Sequence, residues 1–179
     1  MVTCKETRAD RLIFCKRYRD WNAEDWGKVI FSDESPFRLF GASGKKLFRR
    51  RQGELYHQSC VMPTVKHPET IHVWGCFSAK GVGSILPKNT AMNKEWYQHI
   101  LREQLLPTIQ EQFGDQQCLF QHDGAPCHKA EVITKWLGEQ NIDILRPWQG
   151  NSPDLNPIEN LWSILKRWVD KQKPTNSKH

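Results

Sequence analysis

The sequence predicts an α/β domain in which a mixed β-sheet is flanked by helices. Its length of 179 residues suits one domain. In the second half, short apolar segments alternate with segments of helical period, whereas in the first half the strand-like segments follow one another directly. Strands joined by helices pair in parallel and strands joined by short turns pair antiparallel, so we expect both kinds of pairing in one sheet.

The composition is that of a folded protein, with 38% hydrophobic and 26% charged residues. No apolar run approaches membrane-spanning length and the first residues are polar, so we expect neither a membrane span nor a signal peptide. The six cysteines have no disulfide-framework spacing, which indicates reduced thiols. A net charge of +6 is compatible with a polyanionic partner.

The first half predicts one helix and three strands. Residues 1–22 form an N-terminal helix leading into the core, and its apolar positions are Ala9, Leu12, Ile13 and Cys15. A buried strand, KVIF, then leads into the acids of Ser32-Asp33-Glu34, and residues 36–60 are short pieces broken by glycines. The segments IHVWGCFS and VGSILP, separated by Ala79-Lys80-Gly81, predict a hairpin.

The second half predicts three helices and two strands. Residues 93–113 have apolar side chains at helical spacing, with Asn93 as the N-cap and Gly114 at the end. The strand CLFQ leads to Asp123, the helix AEVITKWLGEQ is followed by the strand IDIL, and PIENLWSILKRWVDKQ forms the last helix. We therefore predict a core over residues 23–172 and a polar tail over residues 173–179, in the element order of an RNase H-like fold.

Three acids stand at positions where chemistry is expected. Asp33 and Asp123 each follow an apolar strand, and functional groups in α/β sheets gather beyond strand ends. Glu159 lies in the first turn of the last helix, at the flank of its apolar stripe. Three converging carboxylates would repel one another unless cations neutralise them, and such oxygen ligands suit Mg²⁺ or Mn²⁺.

Each acid also has a simpler structural interpretation. Ser-Asp-Glu-Ser-Pro around Asp33 and the pair Asp123-Gly124 are typical of turns. In Asn156-Pro157-Ile158-Glu159, the asparagine suits an N-cap and Glu159 takes the place of a capping-box glutamate. The periodicity alone leaves both interpretations open.

Three segments together resemble the catalytic blocks of mariner/Tc-type DDE transposases. They are KVIFSDES at 28–35, FQHDGAPCH at 120–128 and SPDLNPIENLW at 152–162, and the resemblance extends from about Trp21 to Trp168. It implies an RNase H-like core in which Asp33, Asp123 and Glu159 bind two Mg²⁺ or Mn²⁺ ions. It also implies cleavage of double-stranded DNA at transposon ends and joining of the freed 3′-hydroxyl to target DNA. Glu34 adjoins the first aspartate but is not a ligand position of the family.

The chain departs from the family pattern in two ways. One more residue than usual separates the last two acids, within the loop RPWQGNSP. Family members also carry N-terminal helix-turn-helix domains, for which there is no room before Asp33, so we expect an isolated catalytic core. The resemblance suggests a homodimer on two DNA ends and a nuclear location. Two alternatives stay open: a transposase-derived DNA-binding domain without catalysis, and a nuclease that cuts without joining.

Further residues are candidates for DNA contact. A basic cluster in GKKLFRRR would follow DNA phosphates, or would form a solvated loop, and comprises Lys45, Lys46, Arg49, Arg50 and Arg51. Trp148, in the loop before the third acid, is the best exposed tryptophan for base stacking. His122 and His128 flank Asp123 and would orient it or touch DNA. Cys118, His122, Cys127 and His128 lack the paired spacing of a zinc knuckle, so we favour packing roles over zinc.

Overall fold

The fold is a five-stranded mixed sheet flanked by helices, seen in a computed structural model that describes residues 4–38, 51–52, 70–88, 92–148 and 152–172. In chain order the elements are α1 (Cys4–Tyr18), α2 (Ala23–Gly27), β1 (Val29–Arg38), β2 (Thr70–Ser78), β3 (Gly81–Lys88), α3 (Lys94–Ile100), α4 (Leu106–Gln112), β4 (Leu119–Gln121), α5 (Glu131–Glu139), β5 (Asp143–Ile144) and α6 (Ile158–Gln172). A π-helical turn, Leu101–Leu105, joins α3 to α4. The predicted order of the strands and of the longer helices is confirmed, whereas the short helix α2 was not predicted. The predicted limits of the core and tail stay a prediction.

Strand β1 lies at the centre of the sheet, whose order is β3-β2-β1-β4-β5. It pairs antiparallel with β2 along Phe31 to Arg38 and in parallel with β4 along Val29 to Phe31. The hairpin of β2 and β3 and the parallel pair of β4 and β5 complete the mixed sheet. Both kinds of pairing therefore occur, as the sequence predicts.

Strand β1 continues through the acids, which corrects the predicted position of Asp33. Asp33 pairs with Gly75 of β2 and so lies inside β1 rather than beyond its end. The turn interpretation of Ser-Asp-Glu-Ser-Pro is wrong, because β2 supplies an antiparallel partner that keeps this segment extended. Asp33 still lies beyond the last residue of β1 that pairs with β4, which is Phe31.

The sheet is covered on both faces. On one face Ile30, Trp74 and Phe120 pack with the α3–α4 segment and α5, in a buried cluster that is the largest among the described residues. On the other face Val29 and Phe31 pack with α1, and Val73 packs with the buried residues Ile158 and Trp162 of α6. Among the helices of the described residues, none combines the length and apolarity that a membrane crossing needs.

Helix α1 docks through aromatic residues rather than through its predicted apolar positions. Phe14 and Tyr18 are buried, while Leu12 and Ile13 are 54% and 53% exposed. The ring of Phe14 meets that of Trp148 edge-on, with the centroids 5.5 Å apart. An ion pair between Arg11 and Asp154, with its shorter contact at 2.6 Å, also joins α1 to the loop before α6. The predicted apolar positions are therefore not the buried ones. Which face of α1 is buried depends on the elements that pack against it, and the periodicity of the helix does not contain that information.

The helix caps follow the sequence closely. The side chain of Asn93 accepts a hydrogen bond from the backbone N–H of Trp96 at 2.8 Å, so Asn93 is the N-cap of α3. Gly114 ends the segment with φ +57°, a conformation that favours glycine. On α6, the large apolar side chains of Leu161, Ile164 and Trp168 are exposed. These apolar side chains border a cavity of about 270 Å³ beside β2 and β3.

The docking of α1 gives a first test. Phe14→Ala should lower the free energy of unfolding by about 3–5 kcal/mol, because it removes a buried ring and leaves a cavity. Leu12→Ala, on the exposed side of the same helix, should change it by less than about 0.5 kcal/mol. Urea unfolding followed by circular dichroism measures both. Equal losses in the two variants would contradict this orientation of α1.

Candidate active site

The carboxylate of Asp33 is held against the last helix. Its Oδ2 atom accepts a hydrogen bond from Trp162 Nε1 at 3.1 Å. Trp162 reaches that position because its β2 neighbour is Gly75, where an added Cβ would lie 2.7 Å from the indole ring. The absence of a side chain at Gly75 therefore allows α6 to approach the sheet and to position Asp33.

The surroundings of Asp33 are strongly unfavourable to its negative charge. Burial, followed by repulsion from Glu159 and Glu34, raises the pKa of Asp33 from 3.8 to about 7. The hydrogen bond from Trp162 acts in the opposite direction but does not offset these effects. A bound cation would relieve this repulsion, so these oxygen donors fit a divalent metal ion.

Glu159 stands at the start of α6, which is anchored to β1. Asn156 Nδ2 donates to the carbonyl oxygen of Ser32 at 3.4 Å, and Asn156 Oδ1 accepts from the backbone N–H of Ile158 at the same distance. Asn156 thus caps α6, as predicted, and ties its first turn to the residue before Asp33. This anchoring brings the half-buried Glu159 into electrostatic range of Asp33.

Asp123 follows β4 and has a different environment. Its Oδ1 atom lies 2.6 Å from His128 Nδ1 and accepts a hydrogen bond from the backbone N–H of Ala125 at 2.9 Å. Burial acts to raise the pKa of Asp123, but the hydrogen bonds from His128 and Ala125 outweigh it and leave the pKa below its ordinary value. Asp123 is consequently ionised at neutral pH.

His128 links Asp123 to strand β1. Its side chain is 3% exposed, and its Nε2 atom lies 3.2 Å from Glu34 Oε1. That contact has ion-pair distance without the geometry of a hydrogen bond. Burial acts to lower the pKa of His128, but Asp123 and Glu34 together raise it to about 10. His128 is therefore a buried cation between two carboxylates.

Two further side chains support His128. The ring of Tyr97 stacks on the imidazole with the centroids 3.9 Å apart. The hydroxyl of Tyr97 also meets His122 Nδ1 at 2.9 Å. Burial and then the nearby His128 lower the pKa of His122 to about 3, so His122 is neutral. The two histidines next to Asp123 thus differ in charge.

The three predicted acids are grouped without forming a closed metal site. Glu159 lies near Asp33, and Asp123 is connected to the residue after Asp33 through His128. Within the described ranges, no three His, Cys, Asp or Glu side chains stand close enough together to hold a metal ion. The assignment of the three acids as ligands stays a prediction.

Comparison with known proteins decides the family. The sequence profile described as "DDE superfamily endonuclease" matches residues 28–179. The chain belongs to the DDE superfamily of endonucleases. The predicted resemblance to mariner/Tc-type proteins is confirmed by curated relatives. The chain is 34% identical over 174 residues to the Tcb2 transposase of Caenorhabditis briggsae and 33% identical over 174 residues to the Tc1 transposase of Caenorhabditis elegans.

These matches cover 97% of this DDE chain but only 63% of each relative, so the chain spans less than two thirds of their length. Solved structures confirm the RNase H-like fold. The Mos1 transposase paired-end complex with left transposon end has a TM-score of 0.74 at 19% identity, over 99% of this chain and 57% of that one. The catalytic domain of Mos1 mariner transposase has a TM-score of 0.70 at 17% identity, over 99% and 78% of the two chains.

The residues predicted to contact DNA lie partly inside and partly outside the described part of the chain. Lys45, Lys46, Arg49 and Arg50 lie outside the described residues, and their role stays a prediction, as does that of the exposed Arg51. The side chain of His128 is buried between two carboxylates, and its predicted roles in orienting Asp123 and in contacting DNA stay predictions. Trp148 is half-buried against Phe14 rather than fully exposed, because α1 covers part of its ring.

Sequence analysis missed a cavity of about 610 Å³ next to Asp123. Its lining includes the basic residues Arg17, Lys129 and Arg146 together with the ring of Trp148. Lys129 lies over the turn after Asp123, since an added Cβ on Gly124 would be 2.9 Å from its Nζ atom. No motif contains all three cations, because they come from α1, the segment before α5 and the segment after β5.

The raised pKa of Asp33 predicts how stability depends on pH. Between pH 4 and about 7 the folded, metal-free chain binds a proton at Asp33 that the unfolded chain has lost, so stability should fall as pH rises. Asp33→Asn removes this penalty and should stabilise the chain at pH 8 by at most about 4 kcal/mol, since a pKa unit is worth about 1.4 kcal/mol. The gain should shrink towards pH 4.

Urea unfolding in EDTA across this pH range measures the effect. Glu139→Gln, which neutralises an exposed acid at the end of α5, is the matched control and should give no such pH-dependent gain. A stabilisation by Asp33→Asn that is the same at pH 4 and pH 8 would be evidence against the raised pKa.

Proposed function

We propose that this chain is the catalytic core of a mariner/Tc-type transposase, which uses divalent cations to cleave DNA strands and to join the freed 3′ end to target DNA. The observation that carries the proposal is the half-buried Asp33 on the central strand, with Glu159 beside it. Asp123 follows the adjacent parallel strand, and membership of the DDE superfamily supports an endonuclease chemistry.

We infer that Asp33, Asp123 and Glu159 hold two Mg²⁺ or Mn²⁺ ions. The donors are all carboxylate oxygens, which are hard ligands preferred by these ions. Two similar solved structures are of the Mos1 transposase catalytic domain and raltegravir, one with Mg and the other with Mn. When bound, a pair of such ions activates the attacking oxygen and neutralises charge on the departing one.

The residues of the chain prepare this site before substrate arrives. Trp162 fixes one oxygen of Asp33, and His128 with Ala125 fixes one oxygen of Asp123. Both hydrogen bonds of Asp123 reach Oδ1, so the other oxygen is the one that would bind a metal ion. Restricting the carboxylates in this way reduces the reorganisation that binding and reaction require.

We infer that double-stranded DNA reaches the site across the cavity beside Asp123. Arg17, Lys129 and Arg146 supply positive charge there, which would neutralise DNA phosphates. A similar solved structure is that of Mos1 transposase in a paired-end complex with a transposon end. By this analogy we propose transposon ends and target DNA as substrates, a second subunit as partner and the nucleus as location.

A second candidate function is DNA binding without catalysis. It is favoured by one observation, namely that no group of three potential ligands within the described residues is close enough to hold an ion. The two candidates make different predictions. Only the enzyme requires metal-dependent strand cleavage that depends on the three carboxylates.

The catalytic proposal predicts metal-dependent nicking by the purified chain. Asp33→Asn, Asp123→Asn and Glu159→Gln should each reduce cleavage of a plasmid in Mn²⁺ about 100-fold or more, since a metal supplies several kcal/mol of charge stabilisation. Asp170→Asn neutralises an exposed acid on α6 and should retain activity. Gel analysis measures nicking, and joined products distinguish a transposase from a nuclease.

Equal nicking by the chain and by its Asp123→Asn variant would refute the metal-site assignment. Salt-sensitive DNA binding without any metal-dependent cleavage would instead favour the DNA-binding candidate.

The lining of the cavity beside Asp123 predicts which basic side chains bind DNA. Lys129→Ala and Arg146→Ala should each weaken binding of a short duplex and reduce the salt dependence of the affinity by about one released ion. Lys171→Ala, an exposed lysine near the end of α6, should change neither. Fluorescence anisotropy between roughly 50 and 200 mM salt, with EDTA present, measures both quantities. The same affinity for all three variants would exclude this cavity as the path of the DNA.

A further inference from the structure

The half-buried Glu34 and the buried His128 form a pair that connects β1, the strand of Asp33, to Asp123. Glu34 follows Asp33 on β1, so their side chains point to opposite faces of the sheet. On its own face Glu34 Oε1 lies 3.2 Å from His128 Nε2, and His128 Nδ1 lies 2.6 Å from Asp123 Oδ1. The imidazole thus has one carboxylate at each of its nitrogens.

The turn after β4 closes this arrangement. Asp123 Oδ1 accepts from the backbone N–H of Ala125, and the N–H of His128 donates to the carbonyl oxygen of Ala125 at 3.0 Å. Two contacts therefore hold His128 close to Asp123. One is the backbone hydrogen bond to Ala125, and the other is the contact between its imidazole and the Asp123 carboxylate. Tyr97, which is fully buried, stacks on the ring and fixes its plane.

We propose that Glu34 and His128 are positioning residues for Asp123, with Glu34 acting through His128. This inference rests on the proposed function, in which Asp123 is a metal ligand. Carboxylates and histidines in contact with metal ligands fix the orientation of those ligands, and changing them typically costs 10- to 100-fold in metal affinity or activity. The contact between Glu34 and His128 also joins the loop of Asp123 to β1, the strand of Asp33.

Two other interpretations of Glu34 make different predictions. A direct ligand would bind the ion itself, but Glu34 faces His128, on the side of the sheet opposite Asp33. A purely structural residue would hold the loop without influencing the orientation of the Asp123 carboxylate. Metal affinity measured independently of activity separates all three.

The experiment uses the 179-residue chain and Mn²⁺ as the probe, with free Mn²⁺ measured by electron paramagnetic resonance. Glu34→Gln keeps the shape of the side chain and removes its charge. His128→Asn places a side-chain amide near the former Nδ1, where it can still donate a hydrogen bond to Asp123. His128→Gln places the amide near the former Nε2, so the hydrogen bond to Asp123 is lost. Both histidine variants lose the ring that stacks on Tyr97, so they are matched in packing.

We expect Glu34→Gln and His128→Gln each to weaken Mn²⁺ binding about 10- to 100-fold. His128→Asn should bind Mn²⁺ several-fold more tightly than His128→Gln, because it restores the donor to Asp123. The double variant of Glu34→Gln and His128→Gln should be no weaker than His128→Gln alone, since Glu34 acts through the histidine. In DNA cleavage the loss should appear in kcat with little change in KM.

Two results would overturn the proposal. Additive losses in the double variant would make Glu34 a direct ligand, and wild-type Mn²⁺ affinity in Glu34→Gln would make it purely structural. Failure of the proposed function is distinguishable, because the parent chain itself would then neither bind Mn²⁺ nor cleave DNA. Nitrogen chemical shifts of the His128 ring report the contacts in every variant that retains the ring, and a ring unaffected by Glu34→Gln would also count against the proposal.

Discussion

The crowding of carboxylates at the centre of β1 is the constraint on which the rest of the site depends. Neighbouring residues of a strand face opposite sides of the sheet, so Asp33 and Glu34 cannot share one supporting group. Each acid therefore has its own partner, Trp162 on one face and His128 on the other. The supporting groups of the two acids therefore come from different elements, α6 for Asp33 and the segment between β4 and α5 for Glu34.

Support for Asp33 also fixes how the last helix packs. The indole of Trp162 reaches Asp33 only because Gly75 has no side chain opposite it on β2. Asn156 holds the first turn of α6 to the backbone of Ser32, which sets the position of Glu159. The same contacts thus belong to the hydrophobic packing of α6 and to the geometry of the acids, so the stability of this region and its chemistry are not separable.

How much of this could be predicted depends on the range of each interaction. The caps Asn93 and Asn156 are encoded within a few residues, and the order of strands and helices follows from local periodicity. The central position of Asp33 in β1 was missed because it depends on pairing with β2. The pair of Glu34 and His128 was missed because these residues are far apart in sequence, and no local pattern joins them.

The two aspartates are prepared in opposite ways, and this difference has a chemical consequence. Asp123 is kept ionised by His128, whereas the pKa of Asp33 is raised to about 7 by burial and by its acidic neighbours. Asp33 must therefore give up a proton near neutral pH whenever it takes part in binding a cation, while Asp123 has no proton to lose. In the proposed metal site, cation binding on the side of Asp33 would therefore depend on pH, whereas the side of Asp123 would be ready for binding over a wider pH range.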